Sequence, residues 1–91
     1  MPKSLSPHWL LQQIAETQVA HLAPARSIIP IVRFRQDQIV WDEECPGVGS
    51  APWHVDYFVA PGDSSARTLI PALNAAIAPY QELYDLGLTC G

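Results

Sequence analysis

The stretch Trp53-His54-Val55-Asp56-Tyr57-Phe58-Val59 decides how this chain is read. Trp53, Val55, Tyr57 and Val59 fall on one side of an extended backbone, and His54, Asp56 and Phe58 on the other. Period two with aromatic and β-branched residues on one face is the pattern of a half-buried strand. Pro61-Gly62 ends it with turn-forming residues. A strand needs partners, and Ser27-Ile28-Ile29-Pro30-Ile31-Val32-Arg33-Phe34-Arg35 is a candidate upstream, with Val32 and Phe34 on one face and Ile31, Arg33 and Arg35 on the other. Pro30 has no N–H to give to a ladder, which places the first half of this strand at a sheet edge or a bulge. Gln36-Asp37 reads as a tight connection into Gln38-Ile39-Val40-Trp41-Asp42, so a hairpin is expected here. Residues 43–52, with Pro46, Gly47, Gly49 and Pro52, read as a loop.

Helical spacing flanks these segments. Ser6 can cap and Pro7 suits the first helical position, where a missing N–H costs nothing. Leu11, Ile14, Ala15, Val19 and Leu22 then recur at helical period, with Gln12, Gln13, Glu16 and Thr17 on the opposite side. Pro24 closes the segment, so a helix is expected over 7–22. Asp63, Ser64 or Thr68 can cap a second helix carrying Leu69, Leu73, Ala76, Ile77, Tyr80, Leu83 and Tyr84. Pro71 fits its first turn, Pro79 is expected to kink or break it, and Gly87 is a natural stop. The expected fold is a single compact α+β domain over residues 1–91. Its order is α-β-β-β-α, with a small antiparallel sheet of about three strands and both helices packed on one face.

With 48% apolar and only 15% charged residues among 91, the chain is not of the disordered class. No apolar run approaches the roughly 18–20 residues of a membrane span. The segment before Pro7 has one cation and no apolar core, unlike a secretory leader. The expected location is therefore the cytoplasm. Cys45 and Cys90 are then expected as reduced thiols, with a disulfide between them open in an oxidising compartment.

Candidates for chemistry are sparse. His54 and Asp56 share a strand face about 7 Å apart, and Glu43, Glu44 and Cys45 could complete a metal-dependent or acid–base site. A metal site wants three or four ligands at recognisable spacing, and no His-x-x-x-His or Cys-x-x-Cys is present, so the pair is expected to be a polar outer face. Gly47-Val48-Gly49-Ser50 is flanked by Pro46 and Pro52 and precedes a strand, which suits no phosphate-cradling loop. Pro2 would expose a basic amine if Met1 were removed, but no strand is expected directly after it. No cofactor and no metal are implied.

Charge distribution is the most informative feature. Residues 1–35 hold four cations and one anion, a net of +3; residues 36–91 hold one cation and eight anions, a net of −7. Nucleic-acid binding wants a basic patch, and the chain's net charge is −4. The acidic stretch with its aromatic, Asp37, Trp41, Asp42, Glu43 and Glu44, is the expected partner-binding surface. The expected function is a small non-catalytic protein-interaction module, a subunit or accessory protein of a larger assembly. Its partner would be another protein with a basic surface, or other copies of itself, with neither nucleic acid nor membrane contacted directly. One alternative is a small acidic inhibitor, of the sort phages encode, that blocks a basic nucleic-acid-binding groove. Another is a small enzyme using His54 and Asp56.

Overall fold

The computed structural model describes residues 3–24 and 27–89. In chain order the elements are β1 (Ser4–Ser6), α1 (His8–Leu22), β2 (Ile28–Phe34), β3 (Val40–Trp41), β4 (Val48–Ala51), β5 (Trp53–Val59), α2 (Ile70–Leu83) and β6 (Tyr84–Thr89). Short 3-10 turns cover Gln36–Gln38 and Ser64–Leu69. The strand read first is β5, and it pairs antiparallel with β2 along its whole length, from Ile28 opposite Val59 to Phe34 opposite Trp53. A second sheet has the order β1-β6-β4-β3, with β1 parallel to β6 and the other pairs antiparallel. The protein is thus a small α+β fold with two helices, and its sheets hold four and two strands among the described residues.

The two sheets share one inner side. Burial alternates without a break from Gly49 through Ala51 and Trp53 to Val59, with Pro52 exposed at the passage between β4 and β5. Leu11 and Ala15 of α1 and Ile77 of α2 pack there against Val32, Trp53 and Leu86. A second cluster joins Val19, Ala23, Ile28, Ala66 and Leu73 at the far end of the ribbon.

Several expectations are corrected. The segment 38–42 does not pair with β2; the 3-10 turn redirects the chain, and Val40–Trp41 pairs with β4 instead. Only β5 offers β2 seven residues of matching alternation, and that longer match wins. Residues 48–51, expected as loop, form β4, because Gly49 and Ser50 are held between β3 and β6 while Val48 and Ala51 extend the pairing with β6. Ser4–Ser6 form a strand, so Ser6 is buried in β1 rather than capping, and Pro7 occupies the N-cap position without a side-chain cap bond. Helix α2 runs unbroken through Pro79; the carbonyl that proline leaves without its partner, Ala75, belongs to an exposed residue that water can serve. The helix stops at Leu83, and Gly87 lies inside β6, where an added Cβ would come within 3.2 Å of the Leu5 Cβ. Pro2, Arg26 and Cys90, with the pairing of Cys90 to Cys45, lie outside the described residues.

Helix side chains close the ribbon's edges. Gln12 donates from Nε2 to the Pro30 carbonyl (2.6 Å) and accepts at Oε1 from the Val32 N–H (3.0 Å). One amide thus mimics the neighbouring strand that β2 lacks. His8 Nε2 lies 2.8 Å from the Val32 carbonyl on the same edge. Pro30 sits on this outward parity, so its missing N–H leaves the β2–β5 ladder intact. At the β5 edge Gln81 donates to the Trp53 carbonyl (2.9 Å), and the Trp53 indole N–H donates to the Tyr84 carbonyl (3.0 Å). Gln12→Ala should cost about 1–3 kcal/mol in chemical denaturation, because it strands a donor and an acceptor on a partly buried edge. Gln12→Glu should be as costly at neutral pH, where a carboxylate faces the Pro30 carbonyl, and should recover stability in acid once the new carboxyl can donate.

Tyr57 joins both clusters, yet its buried hydroxyl has no hydrogen-bond partner among the described residues. Burial pushes the phenol above its ordinary value of 10.0. Stability from the protonated phenol is complete below pH 10 and is lost as pH climbs through the raised native value. Tyr57→Phe should raise stability by about 1 kcal/mol at neutral pH. It should also lessen the alkaline loss, as read from thermal melts of both proteins across that range.

Candidate functional site

Residues 36–47 form an arm in which every residue but Ile39 and Gly47 is exposed. Arg35 starts it with a two-pronged ion pair to Asp37, Nε to Oδ1 at 3.1 Å and Nη2 to Oδ2 at 2.7 Å. That pairing spans the start of the 3-10 turn. After β3, Asp42 N–H donates to the Val48 carbonyl (2.8 Å) and Val48 N–H to the Cys45 carbonyl (3.1 Å), closing the connection to β4. Asp42 Oδ1 accepts from the Glu44 N–H at 2.8 Å, fixing the start of the turn. Gly47 has φ of 85°, a conformation that side chains disfavour.

Trp41 lies over Gly49, its partner across the β3–β4 pair. A Cβ on Gly49 would stand 2.8 Å from the indole Cε3, so the absence of a side chain there makes the seat for the ring. Trp41 still keeps 52% of its surface exposed. It and the turn acids are on the same exposed arm.

The expected partner-binding residues therefore divide into two groups. Asp37 is neutralised by Arg35. Asp42, Glu43 and Glu44 are exposed, and none has a cation within ion-pair distance among the described residues. Lys3 and Arg33, by contrast, lie against Asp85 (3.6 Å) and Asp56 (3.0 Å). The Arg-x-Asp spacing was the sequence signal that could have set Asp37 apart.

His54 and Asp56 do share the outer face of β5, with His54 Nε2 3.8 Å from Asp56 Oδ1. Arg33 holds the other Asp56 oxygen, and all three side chains are about half exposed. Glu43, Glu44 and Cys45 belong to the arm and do not join them. Among the described residues no group of three or more His, Cys, Asp and Glu is placed to hold a metal ion. No helix there is long and apolar enough to cross a membrane.

Comparison with protein-family models, with curated proteins and with solved structures gives no match.

Gly49→Ala tests the indole seat. The added methyl should displace the Trp41 ring and cost about 1–3 kcal/mol by overpacking. The expected sign is a shift of the Trp41 indole N–H resonance, with that of buried Trp53 unchanged.

Proposed function

We propose that this chain is a non-catalytic protein-interaction module, a subunit or accessory protein of a larger assembly, which docks its 36–47 arm onto a partner with a basic rim. The observation that supports this reading is the exposed Trp41 ring, seated on Gly49, beside Asp42, Glu43 and Glu44 without a cation partner among the described residues. A tryptophan held in place loses little freedom on binding, and such residues dominate interface energetics. Uncompensated carboxylates around it raise the local negative potential and steer a basic partner, mainly through the association rate. The same surface would suit a basic groove of a nucleic-acid-binding protein, but a large apolar ring favours a pocketed protein surface over mimicry of phosphates. His54 and Asp56, tied to Arg33, are read as outer-face polar residues.

The partner is first captured by a photo-reactive group on the exposed Cys45 thiol, and its association is then followed over a salt series. Trp41→Ala should weaken binding at least tenfold, in line with about 2 kcal/mol for an anchor residue. Reversal of Asp42, Glu43 and Glu44 to Lys should slow association several-fold at low salt. The difference should fade as salt screens charges beyond roughly 10 Å. Association of both variants at the wild-type rate and affinity would remove the arm from the interface.

A further inference from the structure

Among the described residues, no element covers the side of the sheets turned away from the helices. On the β2–β5 ribbon this side carries Ile29 directly opposite Phe58, exposed by 62% and 52%, and then the row Arg33, Asp56 and His54. The unbroken alternation through Pro52 continues the same side onto the second sheet. There two adjoining hollows share the walls Leu5 and Val48, one over Gly87 and the other over its register neighbour Ser50, with Asp42 at the rim of the second, and together they make a trough. One end of the bare side therefore protrudes and is apolar, the other is hollow and apolar, and a charged pair of both signs lies between them.

We propose that this side is the interface of a two-fold homodimer in which Ile29 and Phe58 of each copy fill the Gly87–Ser50 trough of the other. Three observations select a second copy as the occupant. Shape is self-complementary: a two-fold that swaps the ends sets protrusion on hollow twice. Charge is self-complementary as well, because the same operation brings Arg33 of one copy toward Asp56 of the other. The third is area. The chain exposes 6115 Å², whereas a monomer of its mass of 10.0 kDa is expected to expose about 5,200 Å². The excess of about 900 Å², to which the exposed 36–47 arm also contributes, leaves room for the roughly 800 Å² that each partner gives to a standard interface. The molecule is correspondingly thin and long, 49 × 26 × 19 Å, with a radius of gyration of 14.7 Å against about 12 Å for a compact domain of this length. Trp41 faces the opposite side of β3, so its ring stays open in the dimer, whereas Asp42 lines the rim of the trough and is shared by the two surfaces.

Sedimentation equilibrium of the full chain at micromolar concentration should give twice the 10.0 kDa mass. Phe58→Glu removes the protrusion and Leu5→Lys spoils the trough wall. Each alters an exposed side chain, and each should raise the dimer dissociation constant at least tenfold while circular dichroism shows the fold retained. Trp9→Glu changes an equally exposed ring on α1 and should leave the dimer intact. A monomeric wild type, a species larger than a dimer, or a dimer insensitive to either sheet-side variant would overturn the proposal. So would dissociation by Trp9→Glu.

Discussion

A two-stranded ribbon has two open edges and cannot stand by itself in water. Most of what surrounds β2 and β5 answers that constraint. Gln12 substitutes an amide for the missing strand beside β2, and Gln81 reaches the Trp53 carbonyl at the edge of β5. Both glutamines sit on helices that also deliver core side chains, Leu11 and Ala15 from α1 and Ile77 from α2. Packing and edge closure are thus one event: a helix that docks correctly in the core places its amide on the strand. Shifting α1 by one turn would lose both together.

What could be read from the residues was whatever has a period. The alternation of 53–59 and the helical recurrence of 8–22 follow from local geometry and stand within a residue of expectation. The second helix exists as expected but runs through Pro79 and ends at Leu83, four residues before the expected stop at Gly87. Pairing was not readable, because it compares distant segments. The partner of β2 is β5 rather than its neighbour in sequence, with the 38–51 segment diverted into another sheet. Two-residue β3 and three-residue β1 are too short to show a period at all. Pro79 illustrates the opposite error, since a residue that breaks isolated helices is carried by α2 where the carbonyl it strands is open to water. Gly87 stops no helix, because α2 ends four residues earlier and Gly87 lies in β6. Of the candidate site, the acidic stretch and Trp41 were visible as composition. The seat on Gly49 and the neutralisation of Asp37 were visible only in three dimensions.

The distribution of ion pairs sharpens the charge reading. Lys3, Arg33 and Arg35 all have a carboxylate beside them, so much of the positive half of the sequence is silent at long range. Negative charge is concentrated at the β3–β4 turn, where no cation among the described residues is paired with it. A chain with net charge −4 thereby presents a polarised surface rather than a uniformly acidic one. Such polarity orients an approaching partner before any contact is made.

Strand β6 follows all the other described elements in sequence, yet it lies between β1 and β4 in the middle of its sheet. During synthesis the ribosome therefore releases β1 and β4 well before the strand that joins them exists. Until Leu86 emerges, the inner cluster lacks a fully buried member, and the facing edges of β1 and β4 are unsatisfied. Folding of the four-stranded sheet must wait until translation has passed Thr89. In that interval the nascent protein is at its most prone to pairing with other chains, and it is then that a cell's holding chaperones would matter most to it.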